Sequence, residues 1–560
     1  MIPKSIIGFL CLFLRLTARK CCDILKIKKT GGFSMIRYQV FSENQWLYPD
    51  TVLEKENKAE LYAARGSDVC FQILMDYVLT EGEKVTFSFS YDGCDAEVMQ
   101  LVPAHVFHNS AAGASGVAEN YDEVKHFVTR KAPFDVYDIT KPLDDQPTEA
   151  GRAAFYVRIN VAENTPVGLL ETALTIQLER VVVQVPVSIK IYNVVVPKLA
   201  DAAFHMVNWI YFNDGIKNIS LANLHRTEEF SEEYYGILEN YFQNQLDMRN
   251  DTLMLPVGKP LRDAAGKVIG FDFAEVARVG NLALRYGFRQ IMGGFVATWP
   301  TWNAPNIDLV WDRETTVSSL DGYRQLKLYF TGVQKLIADN NWGQQYWQCL
   351  VDEPQKYNAT DYRALSAICR KFLPGVVIND PIETVDIEGA LDIWVVKQAV
   401  YEKYLEEFRK LQEMGETFWI YSCGFPAGKT MNRIIDLPLT VSRLMMWMCY
   451  AYDAPGFLHF GYALHNEDPR DTNYLAPRNR LFPPGNAHIV YPGTKGPWYS
   501  VRGHSQRTGA VDFELLTILG KKNQEKAKQL VAKLCRGFDD YDPSAELFDA
   551  VRKELLDEIG

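Results

Sequence analysis

After Pro197 the chain changes rhythm, and that rhythm limits the folds open to it. Eight short apolar runs follow: His205–Phe212, Thr252–Pro256, Gln290–Val296, Tyr346–Val351, Gly375–Asn379, Leu391–Val396, Thr417–Cys423 and Gly456–Gly461. Runs of that length read as buried strands. Between most of them lie stretches with 3.6-residue periodicity, clearest at Phe230–Met248, Phe273–Tyr286, Ser319–Asn340, Asp361–Phe372, Tyr401–Met414 and Leu437–Tyr450. These predict helices with one apolar face. Strands alternating with helices build a parallel sheet, and eight repeats over about 260 residues match a (β/α)8 barrel of TIM type. A doubly wound open sheet is the alternative. It lacks support, because no G-x-G-x-x-G follows the first run and no phosphate loop occurs.

Upstream, the period is two. Lys84–Tyr91, Ala154–Val161 and Val181–Tyr192 are β-branched and aromatic runs separated by turn clusters such as Asp92-Gly93 and Asn164-Thr165-Pro166. Short alternating strands without helical stretches predict an antiparallel β-sandwich. The expected fold class is therefore α/β: an N-terminal sandwich over 36–197, a catalytic barrel over 198–505 and a C-terminal helical segment over 506–560 packed on the barrel. Residues 1–35 are expected to be a leader or a mis-assigned start, because Met35 opens a segment that reads as a natural beginning. The alternative is an export signal, since Ile6–Leu14 has the size of a signal-peptide apolar region.

Composition removes several function classes. A net charge of −11 without a long basic run speaks against a nucleic-acid partner. The longest apolar run of the N-terminus is too short to span a bilayer, so no stable membrane insertion is expected. Ten scattered cysteines form no C-x-x-C pair and no His cluster completes a zinc site. No metal or other cofactor is expected, and the cysteine usage favours a reducing, cytoplasmic compartment, with export as the alternative. Nothing in the sequence sets an oligomeric state.

The chemistry concentrates in Tyr346-Trp347-Gln348-Cys349-Leu350-Val351-Asp352-Glu353-Pro354. Here an apolar run ends in two carboxylates and is stopped by proline. Pro354 cannot continue a central ladder, so both acids fall at the C-terminal end of the fourth strand, the face where barrels work. Two like charges there are costly, which marks Asp352 and Glu353 as a candidate acid/base pair. A helix N-terminus would also favour acids, but Asn358–Asp361 makes the better start for the next helix.

Ordinary glycosidases set two carboxyls on opposite sides of the sugar, usually from different strands. Here the seventh strand ends in Tyr421-Ser422-Cys423, with no acid, and Asp380 after the fifth run is the obvious spare. Adjacent strand residues also point to opposite faces. An unequal division fits better: one acid protonates the leaving oxygen, and the other holds a substrate amide whose oxygen is the internal nucleophile. Substrate-assisted enzymes work in this way. A glycosidase for a sugar without the acetamido group, with Asp380 as partner, and a non-catalytic glycan-binding protein remain the alternatives.

Leu350-Val351-Asp352-Glu353-Pro354 resembles the Asp-Glu-Pro strand end of glycoside hydrolase family 123. Trp419–Cys423, Ile435-Asp436-Leu437-Pro438 with Arg443 and Trp447, Gly456–Gly461, Tyr491-Pro492-Gly493, Ser500-Val501-Arg502 and Gly509–Leu516 are similar to later family segments, in the same order. Thr165–Gly168 and Val185–Ile189 resemble its sandwich. The resemblance covers roughly 36–520. It implies a β-N-acetylgalactosaminidase-like, retaining, substrate-assisted mechanism without a metal, with Glu353 as general acid/base and Asp352 orienting the acetamido group. Phe460 stands where the family often has Trp, and Gly461-Tyr462-Ala463-Leu464 replaces an Asn-containing continuation. Those positions would line the sugar pocket and bear on the sugar's identity.

The partner expected is a glycan or glycoconjugate. Candidate substrate-binding residues are Asn208 and Trp209 after the first strand, Trp299 and Trp302 after the third, Asp380, Tyr421 as a donor to the acetamido oxygen, and Phe460. Arg443 is expected to pair with an acid. His459 is expected to be a core histidine, and Cys423 packing rather than a nucleophile.

Overall fold

The computed structural model describes residues 36–113, 116–212, 220–494 and 496–560. The expectation for the leader therefore lies outside the described residues.

The N-terminal part is a two-layer sandwich. Its larger sheet runs Tyr38–Ser42, Ser67–Leu79, Gly151–Val161, Cys94–Val106 and Phe134–Pro142, and is then extended by Pro497–Ser500 and Val490–Pro492. These last two strands come from within the 198–505 span assigned to the barrel. Tyr499 and Ser500 pair with Thr140 and Ile139. The smaller sheet runs Ala59–Arg65, Val182–Val195, Gly168–Gln177 and Thr86–Ser88. In Val182–Ile191 the alternation is clean: Val183, Val185, Val187, Ile189 and Ile191 are buried, with Val182, Gln184, Pro186 and Lys190 outside. The inner faces of both sheets meet in one core of Phe71, Ile73, Val157, Ile159, Leu174 and Val185. One pair departs from the antiparallel expectation, because Ala59–Arg65 lies parallel to Val182–Val195.

All eight expected barrel strands are present. They are β1 His205–Asn208, β2 Thr252–Met254, β3 Gln290–Gly293, β4 Tyr346–Gln348, β5 Val377–Ile382, β6 Ile393–Lys397, β7 Thr417–Ser422 and β8 Gly456–His459. Every ladder from β2 through β8 to β1 is parallel. The β1–β2 seam has no ladder. Asp251 closes it: its N–H donates to the Met206 carbonyl (3.1 Å), and its carboxylate meets His205 Nδ1 (2.7 Å) and the Arg289 guanidinium (3.1 Å).

Alternation sorts each strand between lumen and helix layer. Along β7, Trp419 and Tyr421 join the lumen core with Val207, Trp209, Met292, Trp347, Cys349, Val395 and Leu458. Phe418 and Ile420 face the outer core under the helices. The lumen is thus filled with side chains up to its C-terminal mouth, as barrels of this size require.

The outer helices are α1 Glu232–Asp247, α2 Ala274–Tyr286, α3 Leu320–Asn340, α4 Ala359–Phe372, α5 Gln398–Lys403, α6 Leu405–Glu413 and α7 Val441–Ala451. Ser231 and Ser319 cap α1 and α3 through their hydroxyls, and Gly287 ends α2 in the left-handed conformation. The single helix expected at Tyr401–Met414 is broken at Tyr404 into α5 and α6. Two C-terminal helices follow: α8 Val501–Leu534, kinked at Asn523, and α9 Ala545–Ile559. Asp512 of α8, fully buried, takes Arg443 of α7 at 2.7 Å and Arg552 of α9 at 2.9 Å. That triad joins both terminal helices to the barrel's outer layer.

Candidate active site

The fourth strand stops earlier than its apolar run. Beyond Gln348, Leu350 donates its N–H to Asp380 Oδ1 (2.8 Å) rather than to a strand carbonyl. Val351 makes a lone bridge to Ala297. The chain then turns at Glu353, whose φ of +47° lies in the left-handed region. For a residue with a Cβ this costs of order 1 kcal/mol. The surroundings hold it there. Glu353 N–H donates to the Pro381 carbonyl (3.0 Å), and Glu383 N–H donates to the Pro354 carbonyl (3.2 Å). The turn also overrides strand alternation. The two acids were expected on opposite faces, yet both feel the same cation, Lys397.

Glu353 is anchored. Its Oε1 accepts from Tyr421 Oη (2.6 Å) and lies 3.0 Å from Lys397 Nζ. Lys397 ends β6 and is 2% exposed. It also pairs with Glu383 just after β5. Burial and the neighbouring Glu353 push the Tyr421 phenol well above its ordinary range, so it stays a donor.

Asp352 is the opposite case. Among the described residues no donor reaches its carboxyl; its backbone carbonyl accepts from Trp299 Nε1 (2.8 Å). Burial, then the charge of Glu353, pushes this carboxyl up to about 8, with Lys397 pulling the other way. Near neutral pH the Asp352 carboxyl is therefore held largely in its protonated form.

Aromatic rings frame the mouth. Trp299 and Trp302 meet edge-to-face at 4.9 Å, and Trp302 is 46% exposed. The Lys397 ammonium lies 5.9 Å from the Trp302 ring centre, 5.6 Å from Tyr421 and 5.7 Å from Phe425. Trp209 packs edge-to-face on Phe295 at 5.4 Å within the lumen core, and its indole N–H has no partner among the described residues. Phe460 is half-buried at the same end of the lumen.

Two expected substrate residues are placed elsewhere. Asn208 points out of the barrel: it is 1% exposed, its amide N–H2 donates to Asn250 (2.8 Å), and its carbonyl oxygen accepts from Arg433. Asp380 is fully buried, with one oxygen on Leu350 N–H and the other on Tyr362 Oη (2.8 Å). Burial pushes its carboxyl well above the usual range, and these two donors only partly offset that. Asp380 therefore stands in for ladder hydrogen bonds at the strand end that carries the acids. Strand alternation predicts both outcomes once the register is known, since Asn208 follows the lumen residue Val207 and Asp380 follows Asn379.

Lys397 and Glu383 were not singled out from the sequence. The available signal was a lysine closing the sixth apolar run, where a buried cation requires a nearby acid. Cys423 donates to the Phe425 carbonyl, and burial pushes its thiol up to about 11, so it is no nucleophile. His459 is buried, with Nδ1 accepting from Gly461 N–H (3.0 Å). Among the described residues, no three His, Cys, Asp or Glu side chains gather as a metal-binding set.

The family model described as "Glycoside hydrolase 123, catalytic domain" matches residues 216–519, more than half of the chain. The chain belongs to glycoside hydrolase family 123. This glycosidase is similar in fold to a family 123 glycoside hydrolase from Clostridium perfringens, solved to explain glycolipid glycan hydrolysis: TM-score 0.70 at 13% identity, over 94% of this chain and 97% of that one. A β-D-glucuronidase from Dictyoglomus thermophilum gives a TM-score of 0.34 at 10% identity, over 84% of this chain and 69% of that one. A family 5 mannosidase from Rhizomucor miehei gives 0.30 at 11% identity, over 59% and 95%. No curated protein matches the chain. As a glycoside hydrolase it takes a glycan substrate, and among the described residues no helix is long and apolar enough to cross a membrane.

Proposed function

We propose that this glycoside hydrolase cleaves a terminal β-linked 2-acetamido sugar, of the N-acetylgalactosamine type, with retention and with the substrate's own amide oxygen as nucleophile. The observation that carries this reading is the inequality of the two acids. Glu353 is held by Tyr421 and Lys397, whereas the Asp352 carboxyl has no donor among the described residues. An acetamido N–H is the donor that Asp352 lacks. Its binding favours the Asp352 carboxylate, and the proton that Asp352 gives up passes to Glu353. Glu353 then gives that proton to the glycosidic oxygen as the C1–O bond breaks and the amide oxygen bonds to C1. Asp352 stabilises the charge of the resulting oxazolinium ring. Water, deprotonated by Glu353, opens the ring from the vacated face, and the configuration is retained.

The geometry weakens the reading in which Asp380 is the partner acid, because both its oxygens are already engaged in the fold. The relative from Clostridium perfringens bears on glycolipid glycans, and a glycolipid headgroup is the first natural substrate to try.

The test is release of nitrophenol from aryl β-glycosides with and without the 2-acetamido group, and with galacto or gluco configuration. The expected result is turnover confined to 2-acetamido sugars and inhibition by a thiazoline mimic of the oxazolinium. Equal turnover of the plain galactoside, or full activity in Glu353→Gln, sinks the proposal. Glycan binding without any turnover would favour the binding-protein alternative.

A further inference from the structure

We propose that Lys397 and Glu383 form the positioning unit of the acid/base: Lys397 fixes which oxygen of Glu353 carries the proton, and Glu383 balances Lys397 so that Glu353 can hold a proton and a charge in turn. This rests on Glu353 being the general acid/base.

The Tyr421 hydroxyl, which donates, and the Lys397 ammonium, an ion-pair partner at 3.0 Å, converge on Oε1 of Glu353. A neutral carboxyl accepts through its carbonyl oxygen and donates through its hydroxyl. A donor and a cation on Oε1 therefore make that atom the carbonyl oxygen and leave Oε2 to bear the proton delivered to the leaving group. Once the proton has gone, the same hydroxyl and ammonium stabilise the carboxylate that must next act as base.

A lysine alone would overdo this. A buried cation beside Glu353 favours its charged form and opposes the return of the proton. Glu383 tempers that field. One of its oxygens pairs with Lys397, and the other accepts from Gln355 Nε2 at 3.3 Å. The two acids are also coupled through the backbone, since the Glu353 and Glu383 segments exchange hydrogen bonds through Pro381 and Pro354. Trp302, Tyr421 and Phe425 surround the ammonium, which limits its access to water and makes its charge felt.

The two partners then oppose each other, and their variants carry opposite signatures. Glu383→Gln leaves the full cation on Glu353, so proton donation suffers and the loss grows with the basicity of the leaving group. Lys397→Met leaves Glu383 and Glu353 as uncompensated like charges, so the step that needs the Glu353 carboxylate suffers. That loss is largest with the best leaving groups, for which ring opening by water is limiting.

The experiment measures kcat and kcat/KM of the full-length chain on aryl 2-acetamido-2-deoxy-β-galactosides, from phenyl to 2,4-dinitrophenyl, with thermal midpoints recorded in parallel. We expect Glu383→Gln to lose about tenfold or more on the phenyl glycoside relative to the dinitrophenyl one, within the range of general acid effects. Lys397→Met should show the reverse order, with partial recovery in Lys397→Arg. A uniform loss across leaving groups in both variants would mean a merely structural role and overturn the proposal. If Lys397→Met does not fold, the slope of the near-isosteric Glu383→Gln decides alone. Absence of wild-type turnover on every 2-acetamido glycoside would instead overturn the proposed function, and this assignment with it.

Discussion

Two groups of charges are buried in this molecule, and they are built to different ends. At the Arg443–Asp512–Arg552 triad, Asp512 accepts from Arg443 Nε (2.7 Å) and Nη2 (3.1 Å), Trp447 Nε1 (3.1 Å) and Arg552 Nε (2.9 Å). Arg443 turns its remaining nitrogen to Glu43 (2.8 Å) and Asn44 (3.2 Å) of the sandwich. The two guanidinium groups hold the Asp512 carboxyl below the usual carboxylate range, even though burial alone would raise it. At the barrel mouth Asp352, Glu353 and Glu383 share one lysine, and Asp352 is pushed up to about 8. Completed pairing makes a clasp between helices and sandwich. Withheld pairing leaves a carboxyl ready for a ligand's donor, at a standing cost to the fold.

The widest separation between the two groups should appear in catalysis. Glu353→Gln is expected to lower kcat/KM on an unactivated 2-acetamido glycoside by about 10²- to 10⁴-fold, while leaving the thermal midpoint near that of the wild type. Arg443→Met should do the reverse. It strands Asp512 beside a single guanidinium, and urea unfolding should show a loss of about 3–5 kcal/mol, with kcat/KM of the folded fraction unchanged. If Arg443→Met cut turnover without moving the unfolding midpoint, the two groups of charges would not be separate in role.

A finer measurement is stability against pH. The Asp352 carboxyl has a folded-state value near 8 and an ordinary unfolded value near 3.8. The unfolded chain therefore loses this proton first, and the contribution of Asp352 to stability declines as pH rises from about 4 to about 8. Asp352→Asn removes that decline. Thermal midpoints of the two proteins should lie closest at the acid end and separate in favour of the variant up to about pH 8. Parallel curves would mean that the carboxyl is not held neutral. For the same reason, wild-type kcat/KM should fall above about pH 8, where Asp352 has lost its proton before substrate binds. The smallest effect belongs to the rim. Trp302→Ala, at a 46%-exposed site, should raise KM a few-fold with little change in kcat or stability.

Much of the architecture was legible because it depends on local patterning. Eight apolar runs became eight strands, and the period-two alternation read over Val181–Tyr192 is the burial pattern observed over Val182–Ile191. The misplacements come from long-range pairing. Val490–Pro492 and Pro497–Ser500 carry no local mark of the sheet they join, since their partner is the distant strand Phe134–Pro142. At the site, Asp352, Glu353 and Tyr421 were visible as residue types at strand ends. Asn208 and Asp380 looked equivalent to them, yet face outward and serve the fold. Lys397 and Glu383, on neighbouring strand ends, become partners only once β5 and β6 lie side by side.

The sequence alone determined the kind of chain this is. The periodicities select a sandwich and a parallel barrel, and the carboxylates placed before Pro354 mark the end of β4 as the candidate site. Hydrophobic spacing and proline are local constraints, and local constraints survive translation into structure. Only the tertiary fold decided how the two acids differ. That difference rests on a left-handed turn at Glu353, held by the β5 end, and on a cation from β6 and a hydroxyl from β7 that converge on one oxygen of one acid. Which carboxyl is satisfied and which is left waiting depends on neighbours tens of residues away.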